Sequence, residues 1–237
     1  MQNLVTISQE LLDLNLTSSQ LNSFRVYADE LMAWNERINL TAIHEREAIM
    51  VRHFADSLSC LLVLRPPLAG RRVVDVGSGA GFPGLALKIV CPAMDLTLVE
   101  ATGKKVEFLR HVVDVLGIEG VTVINERAET LGRVDGHREA YDWVLARAVA
   151  GMPTLAEYLL PLCKVGGCCL AQKGEAAHQE VAEAHNAIRV LGGRLRGFTK
   201  VELPTVAETR YLVTIDKVAA TPPRYPRRPG MPAKRPL

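Results

Sequence analysis

Val73-Val74-Asp75-Val76-Gly77-Ser78-Gly79-Ala80-Gly81-Phe82-Pro83-Gly84 is the stretch that decides the fold. A short apolar run breaks into four glycines within eight residues and resumes as Leu85-Ala86-Leu87-Lys88-Ile89-Val90. The pattern reads as strand, tight turn, helix. Glycine has no Cβ, so it takes positive φ at low cost and lets a ligand lie against bare backbone. A cofactor site at this turn is the first expectation. The competing reading is a glycine-rich connection with no ligand, and so many glycines at the end of a strand weigh against it.

The glycines fit two registers. Gly79, Gly81 and Gly84 match G-x-G-x-x-G, in which a helix N-terminus faces a pyrophosphate. Asp75, Gly77, Gly79 and Gly81 match the acidic-x-G-x-G-x-G pattern of S-adenosylmethionine enzymes. That cofactor has no phosphate but carries an amino group and a sulfonium, and a carboxylate two residues before the first glycine can serve this charge. Asp75 tips the reading toward S-adenosylmethionine.

Downstream, strands and helices alternate as in a mostly parallel sheet covered on both faces. Strands are expected at 95–100, 121–125, 141–146 and 167–172. Helices are expected at 104–116, stopped by Gly117, at 152–162, and as one long helix at 176–191, ended by Gly192-Gly193. Residues 194–203 and 210–217 read as two strands with no helix between them, so they must be antiparallel neighbours. An α/β sheet that closes with a hairpin is the Rossmann-like class I arrangement of S-adenosylmethionine-dependent methyltransferases, and ordinary dinucleotide dehydrogenases do not end that way. Residues 1–70 read as a separate helical extension: Ser18 or Ser19 caps a helix carrying Leu21, Phe24, Ala28, Leu31 and Met32, and a second helix from about 45 to 64 is ended by Pro66-Pro67. The division expected is 1–70 helical, 71–218 Rossmann-like, and 219–237 a basic, proline-rich tail.

Ligands of open parallel sheets sit beyond the carboxyl ends of the strands. Glu100 ends the second strand, 23 positions after Gly77, where a carboxylate can accept from both hydroxyls of a ribose; a plain surface glutamate is the alternative. After the third strand, Arg127-Ala128-Glu129 is placed to meet an adenine edge. The fourth strand ends Ala146-Arg147-Ala148 and lacks the acidic-or-amide, Pro-Pro, aromatic motif of enzymes that alkylate exocyclic amines. Cys163, Cys168 and Cys169 are poorly placed for attack on a pyrimidine carbon. What remains is an acceptor that is already nucleophilic, such as a purine ring nitrogen. For such an atom no proton has to leave, so an absent catalytic dyad is expected and no catalytic residue is assigned.

Composition narrows the partner. The chain of 237 residues is 48% hydrophobic, enough for a real core. Its apolar runs fall short of the roughly 20 residues a spanning helix needs, and Met1-Gln2-Asn3 lacks the layout of a signal peptide, so a cytoplasmic protein away from membranes is expected. Five cysteines and six scattered histidines show no ligand spacing, and neither disulfides nor a metal is expected. The net charge is +2, yet residues 222–237 hold Arg224, Arg227, Arg228, Lys234 and Arg235 with no acid, leaving 23 basic against 26 acidic residues elsewhere. A basic arm kept extended by six prolines suits a phosphate backbone; a solubilising disordered tail explains the composition equally well.

Taken together these residues resemble the bacterial small-subunit ribosomal RNA guanine-N7 methyltransferases, the glucose-inhibited division protein B family. The markers are Trp34 to Thr41, His53 with Asp56-Ser57-Leu58, Asp75 to Gly84, Glu100 with Lys104-Lys105, Arg127-Ala128-Glu129, Arg147-Ala148, Lys173-Gly174, and Tyr225-Pro226-Arg227-Arg228-Pro229-Gly230 through Leu237. The resemblance spans nearly the whole chain. It implies methylation of N7 of a guanine in 16S ribosomal RNA, with S-adenosylmethionine held by Asp75, Gly77, Gly79, Gly81, Phe82, Glu100, Ala128, Glu129 and Arg147. It also makes the helical N-terminus and the basic tail RNA-facing. Naked RNA, the small subunit and an assembly intermediate all stay open as substrate, and a monomer is expected. A nicotinamide-dependent oxidoreductase and a non-catalytic RNA-binding module are the alternatives. Intact Asp75 and Glu100 argue against the second.

Overall fold

The computed structural model describes residues 1–64, 68–204 and 206–237; the expected stop at Pro66-Pro67 lies outside them. Seven strands, β1 (Arg72–Val76), β2 (Asp95–Glu100), β3 (Val121–Asn125), β4 (Tyr141–Arg147), β5 (Cys163–Lys173), β6 (Gly193–Val201) and β7 (Arg210–Lys217), form one sheet in the order β3-β2-β1-β4-β5-β7-β6. The first five are parallel, and β7 runs antiparallel to both β5 and β6. The order reverses between β1 and β4, so their carboxyl ends open the crevice in which such sheets take ligands. The hairpin closure is as expected.

Alternation along the strands divides the core between the two faces. Val73, Leu96, Leu98, Leu145, Leu170 and Leu212 face one side, where they pack with the N-terminal helices α1 (Gln2–Leu12) and α2 (Ser18–Asn35) and with α5 (Gly84–Val90) and α6 (Gly103–Leu116). Val74, Val76, Val99, Val144, Ala146 and Ile215 face the other, against α8 (Met152–Leu159), α9 (Ala177–Glu183) and α10 (His185–Val190). The helices of residues 1–70 therefore share a core with the sheet: Phe24, Tyr27, Ala28 and Leu31 are completely buried in it.

Local differences from the sequence reading have simple causes. The cap of α2 is Thr17 rather than Ser18 or Ser19, because Thr17 and Gln20 satisfy each other reciprocally: the Thr17 hydroxyl accepts from Gln20 N–H at 3.2 Å and the Gln20 side chain from Thr17 N–H at 2.9 Å. The second helix is a mixed stretch: α3 (Arg46–Ile49), a π-helical turn (Met50–Ala55), α4 (Asp56–Leu58) and a tight 3₁₀ turn (Ser59–Leu62). The expected long helix at 176–191 is divided at Ala184, whose ψ of −1° leaves the helical range. Strand β5 starts earlier than expected, pairing from Cys163 with a register shift between Tyr141 and Trp143 on its partner.

The tail is docked. Tyr225 and Pro226 are buried, and a short helix α11 (Met231–Lys234) follows Gly230. Arg227 lies on the completely buried Glu157 of α8, with its main-chain N–H at 2.7 Å, Nε at 3.0 Å from each carboxylate oxygen and Nη2 at 2.6 Å. The Glu129 carboxylate, on the one-turn helix α7 (Ala128–Leu131), accepts from Gly230 N–H at 2.8 Å, and Arg138 donates to the Thr221 and Tyr225 carbonyls at 2.8 Å each. Arg227 is thus spent on a carboxylate, while Arg224, Arg228, Lys234 and Arg235 are exposed.

Removing Arg227 leaves a buried charge without its partner, which typically costs about 3 kcal/mol or more. Arg227→Ala should lower the melting temperature by roughly 6–12 °C at this chain length, whereas Arg228→Ala should leave it nearly unchanged. Equal melting curves for the two variants would mean that the tail does not contribute to the core.

Candidate cofactor site

A cavity of about 610 Å³ opens at the carboxyl ends of β1, β2, β4 and β5. Its floor is the glycine turn, with Gly77, Ser78, Gly79, Ala80 and Phe82 on the wall; Glu100 and Lys105 stand on one side, Arg147 and Ala148 on another, and Leu40, Thr41, Ile43, Arg52, His53 and Asp56 of the N-terminal layer close it. Gln172, Lys173, Gly174, Glu180 and Arg210 complete the lining.

The four glycines do different work. Gly79 has φ +58°, and a Cβ there would meet nothing closer than Gly77 O at 3.9 Å, so the space above it is open to a ligand. At Gly77 a Cβ would press on Val149 Cγ2 at 2.7 Å. At Gly81 it would collide with the Tyr27 hydroxyl, which donates to the Ala80 carbonyl and ties α2 to the turn. Gly84 begins α5, and its N–H is taken by Asp75 Oδ2 at 2.8 Å. A Cβ at Gly84 would press on Asp75 Cβ at 2.9 Å and Leu98 Cδ2 at 3.0 Å, so this glycine serves close helix–strand packing, which the last glycine of the dinucleotide register does as well.

Asp75 is completely buried beneath the turn rather than on the cavity wall. Its Oδ1 has no partner. Burial pushes its carboxyl from the ordinary 3.8 up to about 7; the Gly84 N–H and Arg147 oppose the shift, and Glu100 adds to it. The carboxylate expected to meet a cationic ligand therefore holds the helix start, and reaches the cavity only through its field.

Glu100 is in the cavity, 7% exposed. Its Oε2 accepts from Gly79 N–H at 3.0 Å and its Oε1 from Thr102 N–H at 2.8 Å. Each oxygen keeps a second acceptor position, which suits a vicinal diol. Ala128 and Glu129 do not line the cavity, and the Glu129 carboxylate is engaged by Gly230.

Arg147 anchors the opposite wall. Its Nη1 donates to Asp56 Oδ2 at 2.9 Å, both side chains being largely buried; its Nη2 lies 3.2 Å from His53 Nδ1, and its guanidinium sits 4.8 Å from the Phe82 ring centre. His53 stacks on Phe82 with centroids 4.7 Å apart. Burial foremost, and then the Arg147 charge, push the His53 ring down to about 3 against the pull of the Arg52 carbonyl, so it is neutral at physiological pH. Ala148, next to Arg147, has φ +54°, a strained conformation held on the cavity wall. Thr41, His53 and Asp56 appeared in the sequence only as family markers, because a side chain from a remote helix gives no spacing signal toward a sheet end. Ser78 and Lys105, by contrast, flank residues the motifs had already picked out.

The chain belongs to the rRNA small subunit methyltransferase G (GidB) family. That family's model matches residues 20–208. A ribosomal RNA small subunit methyltransferase G from Roseiflexus castenholzii is 53% identical over 94% of this chain and 94% of its own length; one from Chloroflexus aggregans is 50% identical over 94% and 92%, and one from Alkaliphilus metalliredigens 44% over 95% and 94%. Solved structures agree on the fold. A 16S rRNA (adenine(1408)-N(1))-methyltransferase from Catenulisporales acidiphilia superposes with a TM-score of 0.54 at 15% identity, covering 65% of this chain and 88% of that one. A mutant of MtNAS in complex with S-adenosylmethionine gives 0.54 at 17% identity, over 85% and 72%. The fold is that of a class I S-adenosylmethionine-dependent methyltransferase.

The sign of the Asp75 effect follows from its raised pKa. The folded state holds a proton that the unfolded chain releases above about pH 4, so this carboxyl subtracts stability progressively as pH rises from about 4 to about 7. The stability of Asp75→Asn relative to the parent should therefore improve by on the order of a few kcal/mol between pH 4 and pH 8, as read by urea unfolding at both. A gap independent of pH would show Asp75 ionised throughout.

Proposed function

We propose that this protein transfers the methyl group of S-adenosylmethionine to N7 of a guanine in 16S ribosomal RNA. The observation that carries this reading is the open backbone above Gly79 beside Glu100, at the point where the strand order reverses. When bound, the cofactor supplies an electrophilic methyl on a sulfonium. Glu100 takes the ribose hydroxyls with its free acceptor positions, Gly77 and Gly79 let the ligand rest on main chain, and Phe82 and Arg147 bound the methionine end. Asp75 and Gly81 act from beneath by fixing the turn, while Ala128 and Glu129 lie outside the cavity lining, where the Glu129 carboxylate serves the docking of the tail. Guanine N7 has a lone pair and no proton, so no general base is required of the chain. Its residues bring the acceptor into line, exclude water and complement the cation formed, which is where the rate comes from.

The small-subunit RNA, naked or assembled, meets the open side of the cavity, where Arg52, Lys105 and Arg210 stand. A substrate of this kind places the enzyme in the cytoplasm, and among the described residues no helix is long and apolar enough to cross a membrane. The exposed tail cations Arg224, Arg228, Lys234 and Arg235 meet RNA phosphates beyond the cavity, while Arg227 holds the tail in place. Converting Arg228, Lys234 and Arg235 to Gln should weaken RNA binding and make its dependence on salt shallower by up to one unit of slope per lost phosphate contact, with cofactor affinity unchanged. An unaltered salt slope would assign these cations to solubility alone.

Gly79 is the cleanest test of the cofactor site, since no packing opposes a side chain there. Gly79→Val should fold, at a cost of about 1–2 kcal/mol for the left-handed backbone, yet lose at least tenfold in S-adenosylmethionine affinity by calorimetry. The reaction itself is tested by incubating the protein and labelled S-adenosylmethionine with undermethylated small-subunit RNA and digesting to nucleosides. Label in 7-methylguanosine is the expected result, and label in any other nucleoside would overturn the assignment.

A further inference from the structure

A chain of hydrogen bonds crosses the N-terminal wall of the cavity. Arg147 cannot give up its proton, so every guanidinium hydrogen is a donor. Its Nη2 faces His53 Nδ1 at 3.2 Å and its Nη1 reaches the Arg52 carbonyl, the competing acceptor beside the same ring, at 3.4 Å, an arrangement that favours the tautomer in which Nδ1 accepts. A neutral imidazole that accepts at Nδ1 carries its hydrogen on Nε2. That nitrogen is 2.7 Å from Thr41 Oγ1, so His53 donates to the threonine hydroxyl. Ile43 N–H donates to the same oxygen at 3.0 Å. Both acceptor positions of Thr41 Oγ1 are then filled, and its own hydrogen has to be given to something else. No acceptor for it appears among the described residues, and Thr41 lines the cavity.

The hydroxyl is also held in place. Asn35, at the end of α2, accepts from Leu40 N–H at 2.8 Å and Thr41 N–H at 3.0 Å and donates to the Thr41 carbonyl at 2.9 Å, so the main chain at this position is clamped from both sides. His53 is fixed in turn by its stacking on Phe82, which belongs to the glycine turn itself.

We infer that Thr41 is a specificity residue that reads the acceptor base through a donor-only hydroxyl, pairing with the C6 carbonyl oxygen of guanine. The inference rests on the methyl-acceptor reading above. Guanine O6 and N7 share one edge of the base, so a donor on O6 holds the ring while leaving the N7 lone pair free for the methyl. Adenine offers an amino group at the same place, and a hydroxyl with both acceptor positions filled cannot turn round to receive it. A site built to hydrogen-bond one group rejects the analogue lacking it more sharply than an apolar pocket can. The Arg147 charge at the head of the chain polarises each bond toward the cavity.

Small-subunit RNA carrying 2-aminopurine at the target position keeps N7 and the 2-amino group but loses O6; inosine keeps O6 and loses the amino group. The parent enzyme should methylate the 2-aminopurine RNA roughly tenfold less efficiently, in kcat/KM, than guanine RNA, which is the worth of one polarised hydrogen bond. Thr41→Val should lose roughly tenfold on guanine and inosine but show no further loss on 2-aminopurine, and Thr41→Ser should restore the guanine rate. Nitrogen-15 NMR of the parent should show His53 protonated at Nε2 and bare at Nδ1; this readout does not depend on turnover and holds even if Thr41→Val fails to fold. An Nδ1-protonated ring, or equal losses by Thr41→Val on guanine and 2-aminopurine, would overturn the inference while leaving the methyl-acceptor reading intact. Parent enzyme that forms no 7-methylguanosine would instead overturn that reading.

Discussion

The ion pair between Asp56 and Arg147 is the constraint on which the site depends. Asp56 comes from the N-terminal helical layer and Arg147 ends β4, so one bond of 2.9 Å ties the layer to the sheet at the lip of the cavity. Taking two charges out of water is expensive, and such pairs persist only where further hydrogen bonds satisfy both partners. Arg147 meets this condition through His53 Nδ1 and the Arg52 and His53 carbonyls. Asp56 meets it incompletely: its Oδ1 has no hydrogen bond, and Arg210 Nε stands 3.8 Å away. The wall is therefore rigid on the Arg147 side and keeps unspent polar capacity on the other, where the Gln172 Oε1 is also without a partner. Because the pair is shared between two parts of the chain, the N-terminal helices form part of the pocket and are not an accessory to it.

The floor is secured by a different means. A glycine turn that offers bare backbone to a ligand has no side chains of its own to hold it, so its shape is imposed from below and behind. Asp75 pins the start of α5, Glu100 takes the Gly79 N–H, and Tyr27 reaches from α2 to the Ala80 carbonyl. Burying Asp75 with one oxygen unpartnered costs stability at neutral pH. That cost is tolerated where a fixed helix start is needed, as is the left-handed Ala148 nearby.

Much of this was legible in the sequence, for reasons that can be named. The strands and the hairpin followed from apolar period and from the missing helix between β6 and β7. The turn followed from its glycines, and Glu100 from its distance to them. Each of these signals is local. The Thr17 cap, the division at Ala184 and the early start of β5 were misread because reciprocal side-chain satisfaction and tertiary pairing decide those ends. Asp75 was placed correctly in the strand, but the motif could not say whether its carboxylate faces ligand or helix. His53 and Asp56 meet Arg147 only after more than 90 residues of intervening chain have folded, and no spacing rule reaches that far; Thr41 joins them through His53.

The tail shows why composition alone misleads about charge. Five cations without an acid looked like one basic arm, yet the acids that answer them sit elsewhere in the sequence. Glu157 lies 70 positions before Arg227 and is completely buried under it, and Glu129 lies 101 positions before the Gly230 N–H it receives. A buried carboxylate needs a cation far more than solvent does, so Arg227 is claimed by the fold and its neighbours are left to solvent or RNA. The same sorting operates at the cavity. Lys173 is bound to Glu180 at 2.7 Å and Arg147 to Asp56, while Arg52 has only a 4.0 Å approach to Glu208. Which positive charges are free to meet a phosphate is thus set by where the buried carboxylates lie.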